Sequence, residues 1–367
     1  MALANTDPAE IRGALEGWLA ERLPGASITD CDVPAASGMS NLTVLFTATW
    51  SAGTETGQFV ARVAPAGPSV FPTYDFAREA AVMNGLASAG LPTPVVRWVE
   101  DSPAVLGSPF LVMERAFGRV PADDPPFTAA GWVLDDLTPE LRGELCRNSI
   151  EAIAGIHSVD WRSLGLESLA PEGGSDAATV YHADLAHWIG FYDWARAGDT
   201  NPTVEAGFAW LAEHRPADDR DPVLLWGDAR IGNQLFGDDL AVNAVLDWEM
   251  VGLGQPEADV AWWLFILRHH TEGIGFPVPE GFPSRDEVVA TYEKAAGRAL
   301  EHLDFYEVWA AVRLAVIMHR AGNLMIELGL LPPDAPMKLN NPASQLLAGL
   351  IGAPAPGGEA QSFIGNR

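Results

Sequence analysis

The chain has 367 residues, of which 48% are hydrophobic and 19% are charged, so we expect a globular protein with a sizeable core rather than a disordered chain. The 49 acidic residues outnumber the 22 lysines and arginines, and the formal charge of −27 argues against a nucleic-acid partner because both would be negative. With two cysteines and no signal-like or membrane-spanning apolar run, the sequence predicts a cytoplasmic protein with no disulfide framework and no membrane partner. The sequence leaves the oligomeric state open, with a monomer as the simplest expectation.

The first part of the chain has the pattern of one helix followed by a curled antiparallel sheet. Asp7 is an N-cap acid, Pro8 occupies the first helical position and Glu10 lies three residues after the cap, which together predict a helix start. Runs of β-branched and aromatic residues then predict strands between Ile28 and Val63. The elements predicted to complete this part are a helix at 75–89 and two strands at 95–99 and 110–113.

After Arg119 the hydrophobic periodicity becomes mainly helical. Two short apolar segments, 223–226 and 242–246, have instead the length of paired strands. The predicted helices are 139–157, 183–197, 203–214, 284–296 and 304–328. We therefore predict an α+β protein with an N-terminal unit at 1–116, a mainly helical C-terminal unit at 117–352 and a flexible tail, rich in Gly and Pro, at 353–367.

Three oxygen-bearing side chains lie near the ends of the two short strands. Asp228 follows the first strand, Asn233 comes five residues later, and Asp247 follows the second strand. Hard cations such as Mg²⁺ prefer oxygen ligands of this kind. In phosphoryl transfer a protein holds the metal, the phosphates and the attacking hydroxyl in line, while one carboxylate accepts the hydroxyl proton. The spacing is therefore typical of a phosphotransferase site.

We identify a resemblance to the D-x-x-x-x-N loop and metal-binding aspartate of the aminoglycoside phosphotransferase and choline kinase family in two segments, GDARIGN at 227–233 and LDWE at 246–249. The resemblance implies a protein-kinase-like two-lobe fold, with a small N-terminal sheet lobe that binds nucleotide and a larger helical lobe that carries catalysis and substrate. It also implies ATP or GTP as the phosphate donor, together with Mg²⁺. By position it assigns the role of catalytic base to Asp228 and that of a cation facing the transferred phosphate to Arg230. It assigns the two metal ligands to Asn233 and Asp247.

The same resemblance extends into the N-terminal part. Residues 37–41, which end with Ser40 and Asn41, resemble the family's phosphate-covering loop, where small residues let backbone N–H groups approach the nucleotide. Arg62 stands where the family has a phosphate-pairing lysine, and Glu79 on the following helix is its expected ion-pair partner. A further stretch resembles the hinge whose backbone binds adenine, and it contributes Met113, Glu114 and Arg115.

Besides Arg62, Trp226 departs from the family pattern, and several other residues are given structural rather than catalytic roles. Trp226 replaces the histidine that usually precedes the Gly-Asp pair. Asp259 is interpreted as a helix cap that braces the catalytic loop, and His157 as a packed structural histidine. Acidic pairs such as Asp123-Asp124 are interpreted as solvated surface. The side chains expected to line an acceptor pocket are Trp262, Trp263, His269, His270, Tyr292, Trp309 and Arg313.

The predicted reaction is transfer of the γ-phosphate to a hydroxyl group of a small molecule. Only residues 248–258 separate Asp247 from Asp259, which leaves no room for the activation loop that docks a peptide. The resemblance leaves the acceptor open, with aminoglycosides first and the hydroxyacyl-CoA of acyl-CoA-dehydrogenase-associated kinases as the alternative. A polycationic antibiotic suits the negative chain, whereas a CoA ester would need a basic patch. A non-catalytic binding protein of the same fold is the third interpretation, since Arg62 and Trp226 depart from the family pattern.

Overall fold

A computed structural model of the chain describes residues 7–34 and 40–362. Two sequence predictions fall partly outside the described residues, namely the start of the phosphate-covering loop, 37–39, and the end of the flexible tail, 363–367. Within the described ranges, no helix combines the length and the hydrophobicity that crossing a bilayer requires.

The described chain divides into two compact units. The first contains the residues up to Ser88 together with Thr93–Ala116. The second contains the short segment Ala89–Pro92 and the chain from Phe117 onward. The first unit is mainly a sheet and the second is mainly helical, so the two parts differ in secondary structure as the sequence pattern predicts.

The first unit is an antiparallel sheet with two helices. Its elements are α1 Pro8–Ala20, β1 Ser27–Asp32, β2 Leu42–Trp50, β3 Glu55–Val63, α2 Phe76–Ser88, β4 Val96–Glu100 and β5 Phe110–Glu114. The strands pair in the order β1-β2-β3-β5-β4, and every pair is antiparallel. Helix α1 begins where the Asp7 carboxylate accepts the backbone N–H of Ala9 at 2.9 Å.

Period-two alternation decides which side chains of β3 enter the core. Phe59, Ala61 and Val63 belong to one hydrophobic cluster together with the apolar face of α1. Val60 and Arg62 therefore point to the opposite face of the sheet, and that face carries the contact between Arg62 and α2 described below. The core thus fixes the direction of a charged side chain that the sequence assigns to nucleotide binding.

The second unit combines eight helices with two short two-stranded ladders in the part of the chain that the structure describes. Its helices are α3 Trp132–Asp135, α4 Pro139–His157, α5 Ala177–Ala195, α6 Pro202–Glu213, α7 Glu257–His269, α8 Arg285–Ala296, α9 Leu303–Glu327 and α10 Pro342–Ile351. Its strands are β6 Val223–Leu225, β7 Gln234–Phe236, β8 Val242–Val245 and β9 Gly252–Gly254. β6 pairs with β9 and β7 pairs with β8, both antiparallel. Helix α9 is buried over most of its length and packs on α5, α6, α7 and α10.

The predicted elements are largely present in this unit, with three differences. The helix predicted at 183–197 begins at Ala177, because the Asp176 side chain caps it by accepting a backbone N–H at the helix start. A helix capped by Asp259 was predicted without bounds, and α7 in fact begins at Glu257; it is buried on nearly all sides, so it shows no amphipathic period. Helices α3 and α10 were not predicted. The segments 223–226 and 242–246 contain strands, but they belong to different ladders and pair with β9 and β7.

Part of the predicted flexible tail is anchored to the second unit. The Asn340 side chain donates from Nδ2 to the carbonyl oxygen of Gly357 at 3.0 Å. The Gln345 side chain donates from Nε2 to the carbonyl oxygen of Pro356 at 2.7 Å. These hydrogen bonds connect the described residues 353–362 to α10 and to the loop before it, and the flexibility of the tail stays a prediction.

Candidate active site

The loop after β6 presents Asp228 from a backbone turn that requires glycine. Gly227 has a φ of 92°, in the left-handed region that residues with a Cβ avoid. A Cβ built there would lie 2.0 Å from the carbonyl oxygen of Met250, far inside contact distance. The strand therefore ends in a sharp turn that only glycine can make, and Asp228 follows it directly.

The buried carboxylate of Asp259 holds this turn. Its Oδ2 accepts the backbone N–H of Trp226 at 2.7 Å and its Oδ1 accepts that of Gly227 at 3.0 Å, while His157 Nε2 lies 3.0 Å from Oδ2. Asp259 is 0% exposed, so these donors replace water. Asp259 therefore braces the catalytic loop as predicted, and His157 is packed as predicted. The prediction that Asp259 caps a helix is wrong, because the N-cap position of α7 is Pro256 and no side chain caps this helix.

We expect the Asp259→Asn variant to lower the free energy of unfolding by about 2–4 kcal/mol. The amide offers one acceptor oxygen instead of two, so the buried N–H of Trp226 or Gly227 loses its partner. Urea unfolding measures the loss. Asp238→Asn is a suitable control, since it makes the same charge change at an exposed turn. Equal stability of the two variants would show that the Asp259 carboxylate does not hold the turn.

Three donors surround the carboxylate of Asp228. Trp262 Nε1 donates to Oδ1 at 2.7 Å, whereas Asn233 Nδ2 and Arg230 Nε donate to Oδ2 at 2.7 and 3.0 Å. Asp228 itself is half-buried. The structure thus brings together three residues that the sequence assigns to the site, and adds Trp262 to them. With three fixed donors, the carboxylate is held in one orientation.

Arg230 is shared between two carboxylates. Besides the bond to Asp228, its Nη1 contacts Asp123. Burial disfavours the charged guanidinium, but Asp123 and Asp228 outweigh that effect and raise the pKa of Arg230. Gly232 permits the approach, since a Cβ there would lie 2.8 Å from Asp123 Oδ1. The prediction of Asp123 as solvated surface is therefore wrong, because this carboxylate is half-buried against Arg230, with His270 Nε2 at 3.5 Å.

The β7–β8 ladder places Asn233 next to Asp247. The backbone N–H of Leu246 donates to the carbonyl oxygen of Asn233 at 2.9 Å. Asp247 follows with a φ of 62°, a left-handed conformation that few residues other than glycine adopt. Trp226 Nε1 donates to the carbonyl oxygens of Leu246 and Asp247 at 2.8 and 3.2 Å, which ties the strand before Asp228 to this turn. Trp226, which replaces the family's histidine, thus has a structural task.

The oxygen atoms at this turn suit a divalent cation. Asn233 uses its Nδ2 to donate to Asp228, so its side-chain Oδ1 is left to serve as a ligand. Asp247 adds a carboxylate one residue beyond the ladder contact. Residues 7–34 and 40–362 contain no cluster of three or more His, Cys, Asp or Glu side chains able to hold a metal. The donor set fits Mg²⁺, which binds proteins through one or two oxygen side chains and takes further ligands from substrate phosphates.

In the first unit, Arg62 and Glu79 form the predicted ion pair. Arg62 Nη1 lies 3.4 Å from Glu79 Oε2, and the two side chains are 11% and 3% exposed. A pair so well removed from water differs from a surface salt bridge, since each charge depends on its partner. Asn41 Nδ2 donates to Ser40 Oγ at 3.4 Å before β2 begins. The roles of these four residues toward phosphate stay predictions.

The hinge-like segment uses part of its backbone within the sheet. The N–H of Glu114 donates to the carbonyl oxygen of Val95, and the N–H of Arg115 donates to that of Gln58, both at 2.9 Å. Met113 lies inside β5, between β3 and β4. These two N–H groups are engaged within the sheet, and the role of Met113, Glu114 and Arg115 toward adenine stays a prediction.

The side chains predicted to line an acceptor pocket are core residues. Trp263 Nε1 donates to Ser149 Oγ at 3.0 Å, and Tyr292 Oη lies 2.8 Å from His157 Nδ1. All seven residues are buried, with exposed fractions between 0% and 4%: Trp262, Trp263, His269, His270, Tyr292, Trp309 and Arg313. Trp309 also borders a cavity, together with Tyr181, Asp184 and Gln255. The prediction is wrong for most of this set, because α7 and α9 are buried on nearly all sides.

Two contacts of the site were not predicted from the sequence. Trp262 reaches Asp228, and a signal for it existed, because Trp262 lies three residues after Asp259 on one face of a helix. Asp123 reaches Arg230 across 107 positions of sequence. No local pattern marks that second contact.

The chain matches the model of the phosphotransferase enzyme family, APH, over residues 33–313. It is also similar to acyl-CoA dehydrogenase family member 11 of Gallus gallus, with 30% identity over 321 residues that cover 83% of this chain. The match covers 39% of that relative, so the chain spans about two fifths of the length of this curated protein.

Two solved structures share the fold. A candidate aminoglycoside phosphotransferase of Ralstonia eutropha has a TM-score of 0.66 and 23% identity, and the match covers 92% of this chain and 95% of the other. The aminoglycoside phosphotransferase APH(4)-Ia, in a thermostable variant bound to ADP and hygromycin B, has a TM-score of 0.56 and 17% identity over 92% and 98% of the two chains. These likenesses confirm the predicted fold class, a protein-kinase-like α+β fold with an N-terminal antiparallel sheet unit and a larger helical unit.

Proposed function

Because the chain belongs to the phosphotransferase enzyme family, we propose that it uses ATP or GTP and Mg²⁺ to phosphorylate a hydroxyl group of a small molecule. The observation that carries the proposal is the convergence of Asp228, Asn233 and the Asp247 turn in the second unit. Phosphoryl transfer needs a carboxylate for the attacking hydroxyl and oxygen ligands for a metal beside it. The proposed acceptor is an alcohol because a carboxylate base serves to remove a hydroxyl proton.

Each residue has a separate task in the proposed reaction. Asp228 orients the acceptor hydroxyl and takes its proton as the new oxygen–phosphorus bond forms. Asn233 and Asp247 hold Mg²⁺, which supplies neutralisation of phosphate charge when it is bound. Arg230, held between two carboxylates, keeps Asp228 oriented and leaves its other N–H groups for the transferred phosphate. Arg62 binds the phosphates of the nucleotide, supported by its ion pair with Glu79.

For the acceptor we propose a hydroxyacyl thioester. The curated relative with 30% identity is named an acyl-CoA dehydrogenase family member, whereas the two aminoglycoside phosphotransferase structures share 23% and 17% identity with this chain. The order of the two acceptors is therefore the reverse of the one expected from the sequence alone. An aminoglycoside is the second candidate, supported by the formal charge of −27, which attracts a polycation.

Acceptor-dependent release of ADP tests the proposal. The purified chain, ATP and Mg²⁺ are mixed with hydroxyacyl-CoA esters that carry the hydroxyl at different positions, with hygromycin B, or with water alone. Phosphorus NMR then identifies the new phosphate ester, and Asp228→Asn is the catalytic control. Release stimulated by a hydroxyacyl ester supports the first acceptor, and release stimulated only by hygromycin B supports the second. If neither stimulates release and no nucleotide binds at millimolar concentration, the non-catalytic interpretation replaces the proposal.

A further inference from the structure

The hydrogen bonds of Asp228 divide unequally between its two carboxylate oxygens. Oδ2 accepts bonds from Asn233 and Arg230. Oδ1 accepts one bond from the described part of the chain, that of Trp262 Nε1 at 2.7 Å. Each carboxylate oxygen can accept two hydrogen bonds, so Oδ2 is saturated and the open lone pair is on Oδ1. A substrate hydroxyl would therefore bind the oxygen that Trp262 holds.

Helix α7 holds the catalytic loop at two points on one face. Trp262 is 2% exposed and lies three residues after Asp259, the helical spacing that puts two side chains side by side. Asp259 fixes the backbone N–H groups of Trp226 and Gly227, and Trp262 fixes the side chain of Asp228. The helix thus sets both the position of the loop and the rotation of its carboxylate.

Arg313 on α9 fixes the indole ring of Trp262. Its guanidinium carbon lies 4.6 Å from the centre of the Trp262 ring and 4.9 Å from that of Trp188. Its Nη2 donates to the carbonyl oxygen of Gly227 at 2.9 Å, and the residue is 4% exposed. A guanidinium stacked on an aromatic face is an attractive contact, strengthened by burial. The contact with Arg313 and the burial of Trp262 together restrict the movement of the indole ring.

We propose that Trp262 is a positioning residue that directs Oδ1 of Asp228 to the acceptor hydroxyl, an inference that rests on the proposed function. In the transfer step the acceptor O–H bond breaks and its proton passes to Oδ1. The acceptor oxygen forms a bond to the γ-phosphorus, and the bond from that phosphorus to the bridging oxygen of ADP breaks. Trp262 donates a hydrogen bond throughout and loses no proton. Without the indole N–H, the carboxylate can rotate and the fraction of reactive encounters falls.

A pair of adjacent tryptophans provides the kinetic test. Trp262→Phe keeps an aromatic face for Arg313 but removes the N–H donor. Trp263→Phe is the matched control, because Trp263 is 3% exposed and donates to Ser149 rather than to Asp228. The assay measures ADP release with water and with the acceptor that the test of the proposed function identifies. We expect Trp262→Phe to lower kcat about tenfold and to leave KM for ATP unchanged. We expect Trp263→Phe to keep kcat, and equal losses of kcat in both variants would overturn the proposal.

The contact itself is measured without any substrate. In the full chain labelled with ¹⁵N-tryptophan, the indole resonance that disappears in Trp262→Phe belongs to Trp262. Asp228→Asn removes the negative charge that this N–H faces, so we expect it to shift that resonance far more than the resonance of Trp263. An unshifted resonance overturns the proposal even where phosphate transfer is observed. A shifted resonance without any transfer supports the contact and contradicts the proposed function instead.

Discussion

We expect the Asp228→Asn variant to lower kcat for phosphate transfer by about 10³-fold. An amide cannot take the hydroxyl proton, and its NH₂ group would also face one of the three donors, Trp262, Asn233 or Arg230, that now surround the carboxylate. The side chain would lose both its basicity and its orientation. Nucleotide affinity should stay unchanged, because Asp228 is not among the residues assigned to the nucleotide. Steady-state release of ADP with a saturating acceptor measures the loss.

The control for this variant is Asp238→Asn, an identical change at the exposed turn between β7 and β8. Its kcat should match the wild type, and calorimetry should give the same nucleotide affinity for both variants. A wild-type kcat in Asp228→Asn, with normal nucleotide binding, would remove Asp228 from the role of base.

The second large effect is expected in Asp247→Asn, which should weaken Mg²⁺-dependent nucleotide binding by about 100-fold. The substitution removes the only charge in the proposed ligand pair, Asn233 and Asp247. Asparagine is the best choice for the test, because Asp247 has a φ of 62° and asparagine tolerates this left-handed conformation. Asp247→Ala would add backbone strain to the loss of charge. Calorimetry with ATP and with GTP, each with and without Mg²⁺, measures the effect.

The metal-free titration separates the two ways in which binding could weaken. If Asp247 acts only through the metal, affinity without Mg²⁺ should be the same in the variant and the wild type. An unchanged dependence on Mg²⁺ in the variant would exclude Asp247 as a ligand. If the wild type binds neither nucleotide at millimolar concentration, the chain is better interpreted as a non-catalytic binding protein of the same fold.

The fold was predicted where local chemistry decides it. Asp7 and Pro8 start α1, and Ser284 starts α8 with a capping box, so both helices lie where the sequence places them. Helix α7 was predicted only through the cap assigned to Asp259 and without bounds, because a helix buried on nearly all sides has no polar face and hence no period to detect. The same burial explains why Trp263 and its neighbours, expected at a pocket, lie in the core.

By itself, the sequence determined the family resemblance, the fold class that the comparisons confirm, and the grouping of Asp228, Asn233 and Asp247 on one loop and the next strand end. These features depend on short segments, each recognisable from neighbouring residues, and Asp228 and Asp247 lie within 19 positions of each other. Only the tertiary structure decided which distant residues contact Asp228 and Arg230. Trp262 lies 34 positions from Asp228, and Asp123 lies 107 positions from Arg230. Such partners are chosen by packing, because burial stabilises an entire unit at once and no local pattern records which side chains it brings together.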